Sequence, residues 1–275
     1  MLYTLARQLC ELFISNFHTM KKYLLVGILL AMSLVMYAQG PPITSDKPIM
    51  LGSGTVVIKT LTEIRNTDAG TYTRVPAMVH YLPTSNSLLA VHLPIVFRNV
   101  LADVAHTSGL GDIDLMAKYQ FYRKDATGKT FRMVAKTIQT LPTGREWNVA
   151  DISTGDYASY LSLVAGYESI KYGISNELGY RLVPGRQDDE LRYKLGFGLP
   201  LLKPTYPVKQ VNLYFEYNAN WMVQSNDFLL FYAQGIQYAK GRLTLETSIQ
   251  TPLIQSIVKT KKRNYALFFC TRYVF

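Results

Sequence analysis

Charged residues are scarce in this chain of 275 residues, at 17% of the sequence, against about 25% in typical soluble domains. Cysteine is rarer still, with two residues, whereas tyrosine is abundant, with 20. Hydrophobic residues make up 48% of the sequence. This balance is unusual for a cytosolic enzyme and typical of a β-rich membrane protein with aromatic girdles.

Long apolar runs are absent after residue 38, so we predict no transmembrane helix in the mature chain. Before that point, Lys21 and Lys22 precede an apolar run over residues 23–36, and Ala38 is a small residue at a plausible cleavage position. The run is shorter than the ~20 residues of a spanning helix, which favours a secretory signal peptide over a membrane anchor. We expect residues 20–38 to be this signal, and residues 1–19 to be a wrongly assigned upstream extension.

Residues that carry catalytic or metal chemistry are also few. Without the signal only Cys270 remains, which excludes an intrachain disulfide. Glycine motifs at 52–54 and 109–111 lack the helix and the lysine of a phosphate site and are interpreted as turns. No histidine has Cys, Asp or Glu at metal-ligand spacing, and none precedes a serine motif as a phospholipase barrel would require. We therefore expect no enzymatic activity, no metal and no cofactor. The histidines are His18, His80, His92 and His106.

From about residue 54 onward, apolar side chains recur at every second position, which predicts β-strands. In one segment Leu191, Tyr193 and Leu195 alternate with Arg192 and Lys194. Two segments, at 86–98 and 227–239, alternate poorly, so ten strands is the alternative to twelve. The twelve segments lie near residues 54–65, 73–82, 86–98, 110–123, 129–141, 157–168, 170–183, 189–202, 207–221, 227–239, 241–250 and 262–275.

The connections between these segments favour the same architecture. If both chain ends face the periplasm, the connections on that side should be short and the outer ones longer. The longer connections are predicted at 99–109, 142–156 and 251–261. Three of the six outer connections follow this asymmetry.

A secreted β-sandwich also alternates, with its apolar face inward, and is the main competing interpretation. The export signal, the long strands and the Tyr- and Phe-rich apolar face favour a closed barrel with its apolar face toward lipid. We predict an all-β, antiparallel, up-and-down transmembrane β-barrel over residues 54–275, in the outer membrane of a Gram-negative envelope. Residues 39–53 are expected to be a periplasmic N-terminal segment.

The C-terminal stripe Tyr265, Leu267, Phe269, Tyr273 and Phe275 is interpreted as the lipid face of the closing strand. An aromatic last residue with alternate apolar residues resembles the signal that the barrel-assembly machinery recognises. We therefore expect Tyr273 and Phe275 to be assembly determinants, with the assembly machinery and outer-membrane lipid as partners.

Residues 109–144 carry the most distinctive motifs: Gly109, Gly111 and Asp112, then Lys118-Tyr119, then the run 141–144 of Leu-Pro-Thr-Gly. With the later run YGISNELGYRL, they resemble the outer-membrane transporter family labelled "meta-pathway of phenol degradation". The resemblance implies an outer-membrane barrel that passes small molecules, aromatic ones among them. It fixes no substrate.

The predicted inward face carries nine basic and six acidic residues. Such charges either form ion pairs that plug a narrow barrel or line a wet, net-positive lumen that favours anionic solutes. Twelve strands lie between filled and open barrels, so strand number does not decide. The lumen candidates are Asp112, Asp114, Lys118, Arg132, Lys136, Lys171, Glu177, Arg181, Glu190, Arg192, Lys194, Glu216, Arg242, Glu246 and Arg272.

Two functions follow from these patterns. The first is passive passage of small solutes through the lumen. The second is a non-conducting structural or surface-binding barrel that acts through outer loops such as 141–158 and 251–264. A basic, aromatic-rich chain could also bind nucleic acid, but export and strand alternation argue against it.

Deletion of Phe275 is expected to lower the amount of assembled barrel, because it removes the terminal aromatic residue of the assembly signal. The measurement is the level of folded protein in the outer membrane. An unchanged level would remove this role.

Overall fold

The computed structural model describes residues 42–68, 70–100, 106–144, 155–185, 188–203, 209–257 and 262–275. Within these ranges no helix is long and apolar enough to cross a membrane. Thirteen strands form one sheet there. They are β1 (Val56–Thr67), β2 (Gly70–Thr84), β3 (Ser87–Val100), β4 (His106–Leu110), β5 (Ile113–Ala126), β6 (Lys129–Leu141), β7 (Ala158–Ser169), β8 (Gly173–Leu182), β9 (Glu190–Pro200), β10 (Lys209–Met222), β11 (Phe228–Lys240), β12 (Leu243–Ser256) and β13 (Arg263–Val274).

The sheet closes on itself because β1 pairs with β13 as well as with β2, both antiparallel. The other wall strands pair with their neighbours in sequence, except that β3 pairs with β5 as well as with β4. The result is a closed antiparallel barrel of twelve strands with β4 as one extra strand. The predicted barrel is confirmed. The ten-strand alternative is wrong, since the two poorly alternating segments are β3 and β11.

The extra strand β4 lies within the connection that the sequence predicted as a loop near 99–109. It pairs with the C-terminal half of β3, where Ile95 faces Leu110. Further down the same edge of β3, His92 faces Asp114 of β5. The two registers differ by one residue, so β4 and β5 follow one path with a bulge between them at residues 111–112.

The two faces of the wall have the predicted phase. On β7, for example, Leu161 and Leu163 are 62% and 54% exposed on the outer face, while Ser162 between them is 7% exposed. The C-terminal stripe also points outward, since Tyr265, Phe269 and Phe275 are all exposed. Apolar side chains cover the outside of the barrel and many polar ones fill the inside, the inverse of a soluble sandwich.

The bulge between β4 and β5 brings together two motifs that the sequence analysis singled out. The Asp112 carboxylate accepts a hydrogen bond from the Gly144 amide at 3.0 Å, and Asp112 is buried. Next to it, the Ile113 amide donates to the Thr143 hydroxyl at 3.0 Å. The two motifs therefore tie the end of β6 to the start of β5.

Replacement of Asp112 by Ala should destabilise the barrel, because it removes the acceptor of the Gly144 amide. Leaving such a group without its partner costs about 1–3 kcal/mol. The free energy of unfolding in denaturant, measured on the barrel refolded in detergent, checks this. Asp125→Ala is the matched control, since its partner Arg123 is half exposed. Equal changes for the two variants would contradict the structural role of Asp112.

Candidate functional site

The interior of the barrel is the candidate site, and it receives all but two of the predicted lumen residues. Those on the inner face are Asp112, Asp114, Lys118, Arg132, Lys136, Glu177, Arg181, Glu190, Arg192, Lys194, Glu216, Glu246 and Arg272. Lys171 and Arg242 instead lie exposed in the β7–β8 and β11–β12 turns. The strands to which they were assigned begin only at Gly173 and Leu243, so the alternation that placed them inward does not apply.

A stretch of chain that belongs to no strand lies inside the barrel. Residues 42–50, here called the lumen segment, precede β1 and contact inward side chains of β5, β6, β7, β9, β10 and β11. Ile43, Lys47 and Met50 of this segment are buried. This location differs from the periplasmic segment expected for residues 39–53.

Asp46 anchors the centre of the lumen segment. Its Oδ1 accepts from Lys118 Nζ at 2.5 Å and its Oδ2 accepts from Lys136 Nζ at 2.9 Å. These two lysines face each other directly across β5 and β6. Like charges in such a pair repel each other, so the wall requires an anion at this point. Asp46 provides it, one oxygen to each lysine.

Two more inward charges complete this group. Glu177 pairs with Lys136 and accepts a hydrogen bond from the Tyr160 hydroxyl at 2.7 Å. Lys194 interacts electrostatically with Glu177 and donates to the Thr44 carbonyl at 3.3 Å. Three inward lysines therefore face two carboxylates, one from the wall and one from the lumen segment.

Glu216 holds the start of the lumen segment through its backbone. Its carboxylate accepts from the amides of Ile43, Thr44 and Ser45 at 2.5–3.1 Å, and from the Thr44 hydroxyl at 2.7 Å. Glu216 is 0% exposed. Successive amides that point at one carboxylate form an anion-binding nest, so an inward acidic residue is satisfied without a cation.

Apolar contacts fix both ends of the lumen segment. Ile43 packs with Tyr214, Ala266 and Phe268. At the other end, Met50 joins a second buried cluster, formed by other strands of the barrel. That cluster consists of Val57, Leu82, Leu88, Ala90, Met116, Val134 and Val164. These apolar inward residues explain why β3 alternates poorly in the sequence.

Small wall residues make room for the lumen segment. A Cβ on Gly166 would lie 2.7 Å from Pro48 Cδ, and one on Gly235 would lie 2.5 Å from Ile43 Cδ1. Both distances are too short for real contacts, so glycine is required for this close approach. Lys47, next to Pro48, pairs with Glu168 of the same strand as Gly166.

Charges beyond the lumen segment pair within the wall. Arg74 lies 3.2 Å from Asp114, and Glu190 binds both Arg181 and Arg192. Arg272 lies 3.4 Å from Glu246 and Arg132 lies 3.8 Å from Asp125. The inward charges of the described residues are thus largely paired, and part of the pairing comes from a piece of chain outside the strands.

Two inward histidines meet beside these charges. His80 and His92 place their Nε2 atoms 3.3 Å apart, and the rings stack at 5.3 Å. In the part of the chain that the structure describes, no group of three or more His, Cys, Asp or Glu side chains is arranged to hold a metal ion.

Comparison with known proteins gives the fold alone. No family model and no curated protein matches the chain. The crystal structure of an outer-membrane channel from Pseudomonas putida F1 matches 85% of this chain and 100% of its own, with 14% identity and a TM-score of 0.66.

Other solved outer-membrane barrels match less well. The KdgM porin matches 80% of this chain and 99% of its own at 8% identity, with a TM-score of 0.48. Outer membrane phospholipase A from Escherichia coli matches 84% and 95% at 10% identity, with a TM-score of 0.42. Scores this low carry no argument about function.

The docked lumen segment is expected to resist mild acid. Burial by itself would raise the pKa of Asp46, but the charges of Lys118 and Lys136 hold this pKa well below its ordinary value of 3.8. A lowered pKa stabilises docking above the ordinary value, and this stabilisation is lost only as pH falls through the lowered pKa.

The measurement is the hydrogen-exchange protection of the amides of residues 43–45, corrected for intrinsic rates. Protection should be constant from about pH 7 to pH 5 and should decline only below about pH 3.8. In Asp46→Asn the contribution of Asp46 to this decline is absent. A loss of protection near pH 5 in the unmodified chain would contradict the ion-pair assignment.

Proposed function

We propose that the protein is an outer-membrane channel for small solutes, closed in the described state by the lumen segment. The observation that carries this proposal is that the element filling the lumen is not part of the wall. Residues 42–50 belong to no strand, and they are held by side-chain contacts rather than by strand pairing. Withdrawal of this segment would leave every strand pair of the barrel intact.

The outer face supports a location in the outer membrane. Its exposed apolar side chains and its closure without free edges suit a barrel surrounded by hydrocarbon. The likeness to the Pseudomonas putida F1 channel agrees with this location. Export by residues 20–38 and assembly through Tyr273 and Phe275 belong to the same proposal.

The inner face supports small and anionic solutes. Lys118, Lys136 and Lys194 meet near the middle of the interior, and on withdrawal of the segment they would outnumber the one wall carboxylate, Glu177, beside them. A positive constriction favours anions. The motifs that resemble the phenol-degradation transporter family do not identify a solute, since Asp112 and Thr143 serve the β5–β6 junction.

A second candidate function follows from the same interior. Because the lumen segment is anchored by ion pairs, a nest and two apolar contacts, a permanently closed barrel that acts through its outer loops is the alternative. It predicts a folded protein without conductance under any condition. Enzymatic activity is part of neither proposal.

Single-channel recordings in planar bilayers test the channel directly. The mature chain should give rare, short openings. A variant that lacks residues 39–50 should give large and sustained steps with anion preference, because the lumen is then free of its plug. Lys194→Glu in that background should reduce the anion preference.

Gly166→Ala is a gentler variant in case the deletion fails to assemble. The new methyl group displaces Pro48 and should raise the open fraction. Gly52→Ala is the matched control, since a Cβ there meets only Thr55 at 3.9 Å. If the deletion variant is heat-modifiable and correctly folded but gives no conductance steps, the channel proposal is wrong. That result would support the closed barrel that acts through its loops.

A further inference from the structure

We infer that Asp46 occupies the anion site of the lumen as an internal ligand, and that a small carboxylate solute opens the channel by replacing it. This inference rests on the proposed channel function and adds a substrate class and a mode of regulation. The anion site is defined here as the facing pair Lys118 and Lys136, with Lys194 beside it.

The wall forms an anion site by its own register. Lys118 and Lys136 are direct partners across β5 and β6, and both are nearly buried, at 10% and 5% side-chain exposure. Nothing about barrel closure requires two lysines at facing positions, and their repulsion disfavours the arrangement. A bound anion between them removes this repulsion.

The group that fills the site is a carboxylate on a removable piece of chain. Beyond its backbone, the Asp46 side chain is equivalent to acetate, and each of its oxygens contacts one lysine, at 2.5 and 2.9 Å. A free monocarboxylate presents the same two oxygens and the same single charge. It can therefore make the same charge-assisted hydrogen bonds.

Charge balance couples the release of the segment to the entry of an anion. Glu177 forms an ion pair with Lys136, whereas its interaction with Lys118 is only a longer-range electrostatic one. If Asp46 left alone, three lysines would face one carboxylate in a poorly hydrated interior, which is strongly unfavourable. One incoming carboxylate restores the balance at these lysines. Withdrawal of the segment also removes Lys47 from Glu168 and three amides from Glu216, so exchange at the lysines offsets part of the cost of opening.

Ser45→Cys reports on this exchange without a current measurement. The Ser45 hydroxyl is buried and makes no hydrogen bond within the described residues, while its backbone amide holds Glu216. Cysteine should therefore keep the docked geometry. The measurement is the rate at which a neutral thiol reagent modifies the mature, folded variant. The protein with Ser45 intact corrects for the buried Cys270.

The probes are sodium acetate, acetamide and sodium chloride. Acetate has the same carboxylate group as the Asp46 side chain, and acetamide is its uncharged analogue. Chloride at equal ionic strength controls for screening of charges by salt. Acetate should accelerate modification about tenfold or more, with little change from the other two, because only acetate can satisfy both lysines.

Variants link the effect to the anion site. Asp46→Asn in the reporter background should be modified rapidly in all three solutions. Asp125→Asn is the matched control, since its carboxylate pairs with Arg123 away from the lumen segment, and it should behave like the reporter alone. Equal rates in acetate and chloride, or slow modification of Asp46→Asn, would overturn the inference. Heat-modifiability on gels shows that each variant is folded.

The two proposals can fail separately. If the variant without residues 39–50 conducts but acetate does not affect the reporter, the channel stands and the exchange is wrong. If acetate accelerates modification but no variant conducts, the anion site stands and the channel is wrong.

Discussion

Unpaired charge is unfavourable in the interior of a closed, narrow barrel, and the rest of this structure depends on how that constraint is met. Strands β5 and β6 place Lys118 and Lys136 face to face, and the wall offers only Glu177 to the second of them. The missing negative charge comes from Asp46, which lies outside the strands. The charge of this lysine pair is therefore balanced by a segment that the barrel does not need for closure.

The wall is adapted to the lumen segment along its whole length. Gly166 and Gly235 lack the side chains that would collide with Pro48 and Ile43. Glu216 is satisfied by three successive amides of the segment, and Met50 completes one of the apolar clusters inside the barrel. Each contact has a different chemistry, yet all are side-chain contacts, which can be exchanged without breaking the hydrogen bonds between strands.

The motifs that stand out in the sequence have structural roles in the barrel. Asp112 and Gly144 belong to separate motifs of the sequence, and the bulge between β4 and β5 joins them at 3.0 Å. The same bulge lets β4 and β5 pair one after the other with the same edge of β3. These residues shape one end of the barrel, while the lysines that bear on solute passage lie in ordinary alternating positions.

The sequence by itself determined the barrel, its strands and which side chains point inward, because a period of two assigns every residue of a strand to one face. It failed at Lys171 and Arg242, where strands end and the period stops. Only the tertiary structure decided what fills the lumen, since residues 42–50 have no periodic pattern and their contacts lie up to 174 positions away. The one trace in the sequence was the poor alternation of β3 and β11. Their inward apolar residues, such as Leu88 and Phe231, made the two faces alike. That pattern indicates apolar contacts inside the barrel. It does not identify the lumen segment as the partner, and the ion pairs of Asp46 depend on which strands the closed barrel places around this segment.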